Sequence, residues 1–178
     1  MTPPIQLRRT MLTLTLVGAS LALIAVALAP DSDDIGRAFA ATRWRADGLD
    51  IALLAAQPAA VQIHIAAAVA ALAIGGFVLA RPKGGALHKT TGWTWVIAMA
   101  ATALSSLFIT GLNGDAYSLI HLLSGWTLVA LPMGVYAIRR KNLRAHRAAM
   151  TGMFFGGLIL AGALTFLPGR LLWRVFFG

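Results

Sequence analysis

The stretch PAAVQIHIAAAVAALAIGGFVLA, from Pro58 to Ala80, decides the fold class of this chain, because it contains no charged residue. A helix rises about 1.5 Å per residue, so this stretch can cross a hydrocarbon layer about 30 Å thick. Similar apolar stretches occupy residues 10–29, 92–112, 117–138 and 148–167. The composition agrees, since 58% of the 178 residues are hydrophobic, 12% are charged and none is cysteine. We therefore expect an all-α integral membrane protein, a helical bundle with five transmembrane helices.

The basic residues predict the orientation of this bundle, because Lys and Arg in short loops stay on the cytoplasmic side of a membrane. They are concentrated before span one, between spans two and three and between spans four and five, whereas all six acidic residues fall on the other side. This distribution places the N-terminus in the cytoplasm and the C-terminus outside. The net charge of +9 is then an orientation signal with some attraction to anionic lipid, and nucleic-acid binding is not needed to explain it.

The apolar pattern divides the chain into four segments. Residues 1–29 are predicted to be a transmembrane anchor; they also resemble a secretory signal, although Pro30 should block cleavage directly before it. Residues 30–57 are too short for a domain and are predicted to lie on the outer, periplasmic membrane surface. Residues 58–167 contain spans two to five, which form a four-helix membrane core. Residues 168–178 are predicted to be an interfacial tail on the outer side.

Each of the four core spans has a histidine near its N-terminal end. His64 and His121 belong to spans that start outside, whereas His88 and His146 stand at the inner edge of the membrane. The topology therefore predicts two histidine pairs, one on each side of the bilayer, each drawn from alternate helices. Helical bundles bind cofactors between facing helices, and two neutral imidazoles are the axial ligands of a low-spin haem iron.

The surroundings of these histidines favour haem b at both sites. The segments HKTTGWT and HLLSGWT begin at His88 and His121, and each has a glycine four positions on, Gly92 or Gly125. That offset lies on the same helix face and leaves room for a flat macrocycle. Basic side chains close to the inner pair could neutralise haem propionates; they are Arg81, Lys83, Lys89, Arg144 and Arg147. The outer site is favoured over the inner one, whose histidines stand closer to the membrane edge.

Other interpretations of these residues stay open. The inner histidines could contact lipid phosphate, and zinc would need more ligands than two histidines per side. Tryptophans near span ends usually form an interfacial belt but can also pack on a cofactor; they are Trp93, Trp95 and Trp126. Hydroxyl groups in span three can line a polar path or bond back to their own helix; they are Thr102, Ser105 and Ser106.

Three segments of the chain resemble a known family: HKTTGWTWVIAM, SLIHLLSGWTLVALPMGVYAIRR and AHRAAMTGMFFGGLILAGALTFLPGRLLW. The family consists of predicted bacterial membrane proteins and is catalogued as a domain of unknown function, number twenty-three-oh-six. The resemblance implies a multi-pass protein of the bacterial inner membrane, with the four histidines at characteristic family positions. The paired layout is also similar to that of the cytochrome b-five-six-one group, whose four-helix core holds two b haems between alternate helices.

The sequence therefore predicts a b-type cytochrome that carries electrons across the membrane. His64 and His121 would ligate the iron of an outer haem and His88 and His146 that of an inner haem, with quinone as a candidate partner. The alternative is a haem-free accessory or assembly subunit that packs through a small-residue face, residues 152–161, against a larger membrane complex. A transporter is disfavoured because the spans contain no acidic residue, and no hydrolase or transferase motif is present.

Overall fold

The computed structural model describes residues 48–109 and 119–177, and also Gly36, Arg37, Ala40 and Thr42. The predicted anchor helix, residues 1–29, lies outside the described residues, as do half of segment 30–57 and the predicted turn at Asn113–Asp115. The helices below all belong to one compact unit, Arg45–Gly178.

All secondary structure in residues 48–109 and 119–177 is helical, as predicted. The elements are α1 (Ile51–Ala55), α2 (Ala59–Ala80), α3 (Ala86–Ser106), α4 (Leu119–Arg139), α5 (Leu143–Gly152), a π-helical segment (Met153–Leu160), α6 (Ala161–Leu164) and α7 (Leu171–Phe177). Three helices are long and apolar enough to cross a membrane: Ala59–Ala80, His121–Arg139 and Leu143–Leu164. The last of these runs through α5, the π-helical segment and α6. Only 11% of the apolar part of α2 is buried inside the protein, so most of its side chains are at least partly exposed, as in a helix that contacts lipid.

Helix α3 differs from the predicted span at residues 92–112. It begins at Ala86, six residues earlier than predicted, and ends at Ser106. Polar residues occupy both of its ends, His88 and Lys89 in the first turn and Ser105 and Ser106 in the last. The hydroxyl groups of these serines donate hydrogen bonds to carbonyl oxygens of α3 itself, which allows a less apolar helix to be buried in a bundle.

Short connections hold consecutive helices antiparallel. Pro58 directly precedes the first residue of α2. The first N–H groups of a helix have no partner within the helix, so the N–H that proline lacks removes no hydrogen bond there. Asn142 caps α5 by accepting a hydrogen bond of 3.0 Å from the backbone N–H of Ala145. The residue before it, Lys141, adopts a positive φ of 57°, which reverses the chain between α4 and α5. The α2–α3 and α4–α5 connections therefore lie at the same end of the bundle.

The long helices form a ring. α2 packs on α3, α3 on α4 and α4 on α5, and the π-helical segment closes the ring against α2. This order places α2 opposite α4 and α3 opposite α5. We call the end with the α2–α3 and α4–α5 connections the His88 end, and the other end the His64 end.

The core of the ring is built around large side chains from several helices; its buried members are Ala71, Trp95, Met99, Ala130, Leu131, Met153, Phe154 and Leu158. Gly75 permits their packing, because a Cβ atom there would lie 2.6 Å from both Phe154 Cδ2 and Trp95 Nε1. Trp95 is only 5% exposed and is thus a core residue, whereas Trp93 and Trp126 are 52% and 61% exposed, as expected of an interfacial belt.

The C-terminal segment packs against α1. The backbone N–H of Asp50 donates to the carbonyl oxygen of Val175 at 3.1 Å, and α1 contacts α7. Trp173 and Val175 are both buried. Part of the predicted outer segment and the predicted tail therefore stabilise each other at the His64 end.

Candidate functional site

His64 is fixed by a hydrogen bond to the neighbouring helix. Its Nδ1 lies 2.9 Å from the carbonyl oxygen of Thr102 on α3, and the hydroxyl oxygen of Ser105 lies 3.4 Å from the same nitrogen. A carbonyl oxygen only accepts hydrogen bonds, so Nδ1 carries the proton in this arrangement. The neutral ring then has its lone pair on Nε2, the nitrogen that remains for a ligand.

His121 lies at the same end of the ring, on the opposite helix α4. It is 7% exposed, and Ser124 and Thr127 follow on the same side of α4. The buried polar side chains of residues 48–109 and 121–177 are all on α3 and α4; they are Ser105, Ser106, His121, Ser124 and Thr127. The hydroxyl of Ser106 donates to that of Ser124, so a hydrogen bond crosses between the two helices. The other hydroxyls bond mainly to carbonyl oxygens of their own helices, which supports the structural interpretation of these residues.

The second histidine with this geometry is His146 on α5, at the His88 end. Its Nδ1 lies 2.9 Å from the carbonyl oxygen of Gly134 on α4. The same reasoning puts the proton on Nδ1 and the lone pair on Nε2. One histidine of each predicted pair is thus oriented by a main-chain carbonyl of a neighbouring helix.

His88 faces the same region from α3. Its Nδ1 is buried and has no hydrogen-bond partner within residues 48–109 and 119–177. Burial lowers the pKa of His88, and the nearby charge of Lys83 lowers it further. His88 near the start of α3 and His146 near the start of α5 lie at the same end of the bundle, because the connections that precede them are at that end. A lowered pKa keeps the His88 imidazole neutral, which is the form that binds a metal.

Basic side chains surround the His88 end. They lie in the two connections and the adjoining helix turns: Arg81, Lys83, Lys89, Arg139, Arg140, Lys141, Arg144 and Arg147. Arg81 stacks over Phe77 at 5.0 Å, and the amino group of Lys83 donates to the carbonyl oxygens of Leu79 and Arg81 at 2.6 Å each. The sequence between positions 80 and 150 contains one acidic residue, Asp115, which lies outside the described residues. This end is therefore suited to an anionic group such as a carboxylate or a phosphate.

The donor set fits the axial ligands of haem iron. Metal-binding histidines usually donate their second ring N–H to a carbonyl or a carboxylate, and His64 and His146 both do so. Gly92 and Gly125, four residues after the other two histidines, have no atom within 4 Å of a Cβ position. Ala68, four residues after His64, instead packs against the core.

The sequence did not identify Gly134 or the carbonyl of Thr102 as partners of the histidines. Any residue can supply a carbonyl, so only the approach of two helices selects it. In the predicted small-residue face at 152–161, Gly152 and Gly156 have open space, whereas a Cβ atom added at Gly157 would lie 3.9 Å from both Met99 Cε and Thr127 Oγ1.

A helical membrane bundle with histidines at both ends is therefore the class of protein that the structure defines. Residues 61–173 match the family model described as "Predicted membrane protein (DUF2306)". This match spans more than half of the chain and all four histidines, so the protein belongs to that family. Searches of curated proteins and of solved structures found no match.

Proposed function

We propose that this protein is a membrane-embedded b-type cytochrome that carries electrons across the bilayer through two bis-histidine haems. The observation that carries the proposal is the matched orientation of His64 and His146, each bonded through Nδ1 to a carbonyl oxygen at 2.9 Å. This bond holds each ring in one tautomer and leaves Nε2 as the ligand nitrogen. It occurs once at each end of the ring.

The proposed ligands are His64 and His121 at the outer site, and His88 and His146 at the inner site. Haem supplies one-electron chemistry when it is bound. The chain contributes neutral ligands, an apolar surrounding and basic side chains at the His88 end that can pair with carboxylates. In this proposal five spans cross the bacterial inner membrane with the N-terminus in the cytoplasm, and the His88 end faces the cytoplasm.

The separation of the two sites suits transfer across the membrane. Gly134, the partner of His146, is thirteen residues beyond His121 on α4. Thirteen residues of helix span about 20 Å, so the two sites lie in opposite halves of the bilayer. Electrons would enter at one end and leave at the other, with a membrane quinone as the proposed donor or acceptor.

One observation favours the alternative, a haem-free accessory or assembly subunit of a larger membrane complex. Gly152 and Gly156 have open space, and Phe155 between them is 57% exposed. Glycines four apart beside an outward aromatic ring let a helix of another protein approach closely.

The absorption spectrum of the purified protein separates the two functions. We expect a Soret band and an alpha band in the reduced-minus-oxidised spectrum, with two haems per chain after titration of the purified protein with haemin. Titration removes the ambiguity of incomplete haem supply during expression. A folded protein that shows no bound-haem spectrum after titration with haemin would support the accessory-subunit function and reject the cytochrome.

A further inference from the structure

Gly134 lies at a close approach between α4 and α5. A Cβ atom on this residue would overlap the methyl group of Met150 and lie 3.2 Å from Cβ of Ala149. The Met150 methyl is the end of a flexible side chain and can rotate away, whereas Ala149 can move only with the backbone of α5. A side chain larger than alanine at position 134 must therefore push the two helices apart.

The same approach produces the hydrogen bond of His146. His146 lies three residues before Ala149 on α5, on the side that faces α4, and its Nδ1 is 2.9 Å from the carbonyl oxygen of Gly134. Hydrogen bonds of this kind weaken quickly beyond about 3.2 Å. A displacement of α5 by a few tenths of an ångström is thus enough to weaken the bond.

We infer that Gly134 is a positioning residue for His146. By allowing contact between α4 and α5, it holds the proton on Nδ1 and directs Nε2 away from α4, as a ligand nitrogen. The role of Gly134 at a haem site rests on the proposed function, whereas its control of the His146 tautomer does not depend on that function.

Two consequences follow at the His88 end. Loss of a hydrogen bond from a metal-binding histidine typically lowers metal affinity by about 10- to 100-fold. It also makes the imidazole a weaker electron donor, so the reduction potential of that haem should rise. The outer site, which depends on Thr102 of α3, should keep its affinity and its potential.

Gly134→Val is the test variant and Gly76→Val the control, because both glycines are within long helices and Gly76 has no neighbour within 4 Å. Gly134→Ala provides a milder step if the valine variant does not fold. Histidine ¹⁵N spectra of the haem-free protein report which ring nitrogen of His146 carries the proton. Haemin titration and redox titration then report affinity and potential at each site.

We expect Gly134→Val to shift the His146 proton away from Nδ1, weaken one haem site by about 10- to 100-fold and raise one potential, while Gly76→Val changes none of these. A folded Gly134→Val protein with an unchanged His146 tautomer overturns the inference. Unchanged affinity and potential in a protein that binds two haems overturn its haem-site part. If the wild-type protein binds no haem, the proposed function fails, but the tautomer still decides the role of Gly134.

Discussion

Replacing His121 alone and together with a second histidine tests the pairing on which the proposed function depends. The variants are His121→Ala, a within-pair double variant with His64→Ala added, and a cross-pair double variant with His146→Ala added instead. Loss of one axial ligand is expected to abolish the low-spin haem at that site. If the pairs are those proposed, the single and within-pair variants should therefore lose one haem each, and the cross-pair variant should lose both.

The size of each effect follows from the distance between the sites. His121 and the His146 partner Gly134 are thirteen residues apart on α4, or about 20 Å, and changes at sites more than about 10 Å apart usually act independently. His121→Ala should leave one low-spin haem of two. The within-pair double variant should also keep one, because that site is already lost, and the cross-pair double variant should keep none.

The assay is haem per chain, measured by pyridine haemochrome and protein concentration, with electron paramagnetic resonance to identify low-spin bis-histidine iron. Met133→Ala is the control, since Met133 is on α4 and 59% exposed. It should retain both haems. A within-pair variant that loses both haems, or a cross-pair variant that retains one, would refute the proposed pairing.

Three other predictions concern the fold. Gly75→Ala should lower the free energy of unfolding by about 1–3 kcal/mol relative to Gly76→Ala, measured by melting in detergent. A Cβ atom at Gly75 would lie 2.6 Å from two aromatic side chains, whereas a Cβ atom at Gly76 has no neighbour within 4 Å. Equal stabilities of the two variants would contradict the close packing at Gly75. Trp173→Ala should cost about 3–5 kcal/mol, since the ring is only 8% exposed, and a loss below about 1 kcal/mol would show that the α1–α7 contact contributes little. A cysteine at Lys141 should react with a membrane-impermeant reagent only from the cytoplasm and one at Asp115 only from outside. The reverse labelling pattern would mean that the His64 end, not the His88 end, faces the cytoplasm.

The sequence predicted the membrane class and the helices with good accuracy where apolar runs are long. The run Pro58–Ala80 is the helix Ala59–Ala80, because a backbone in lipid must satisfy its own hydrogen bonds and a helix does so locally. The prediction was less accurate for α3, which begins at Ala86, because the polar residues His88 and Lys89 in its first turn fall outside a span chosen by hydropathy. The four histidine positions could also be found in the sequence, since intramembrane ionisable groups are rare.

Only the tertiary structure decided how the histidines are held and which small residues matter. Gly75 and Gly76 are adjacent and identical in the sequence, yet only Gly75 faces Phe154 and Trp95. The carbonyl partners of His64 and His146 carry no signal in the sequence, because every residue has the same backbone oxygen. Their selection depends on the register between neighbouring helices, which is set by close packing of side chains far apart in the chain.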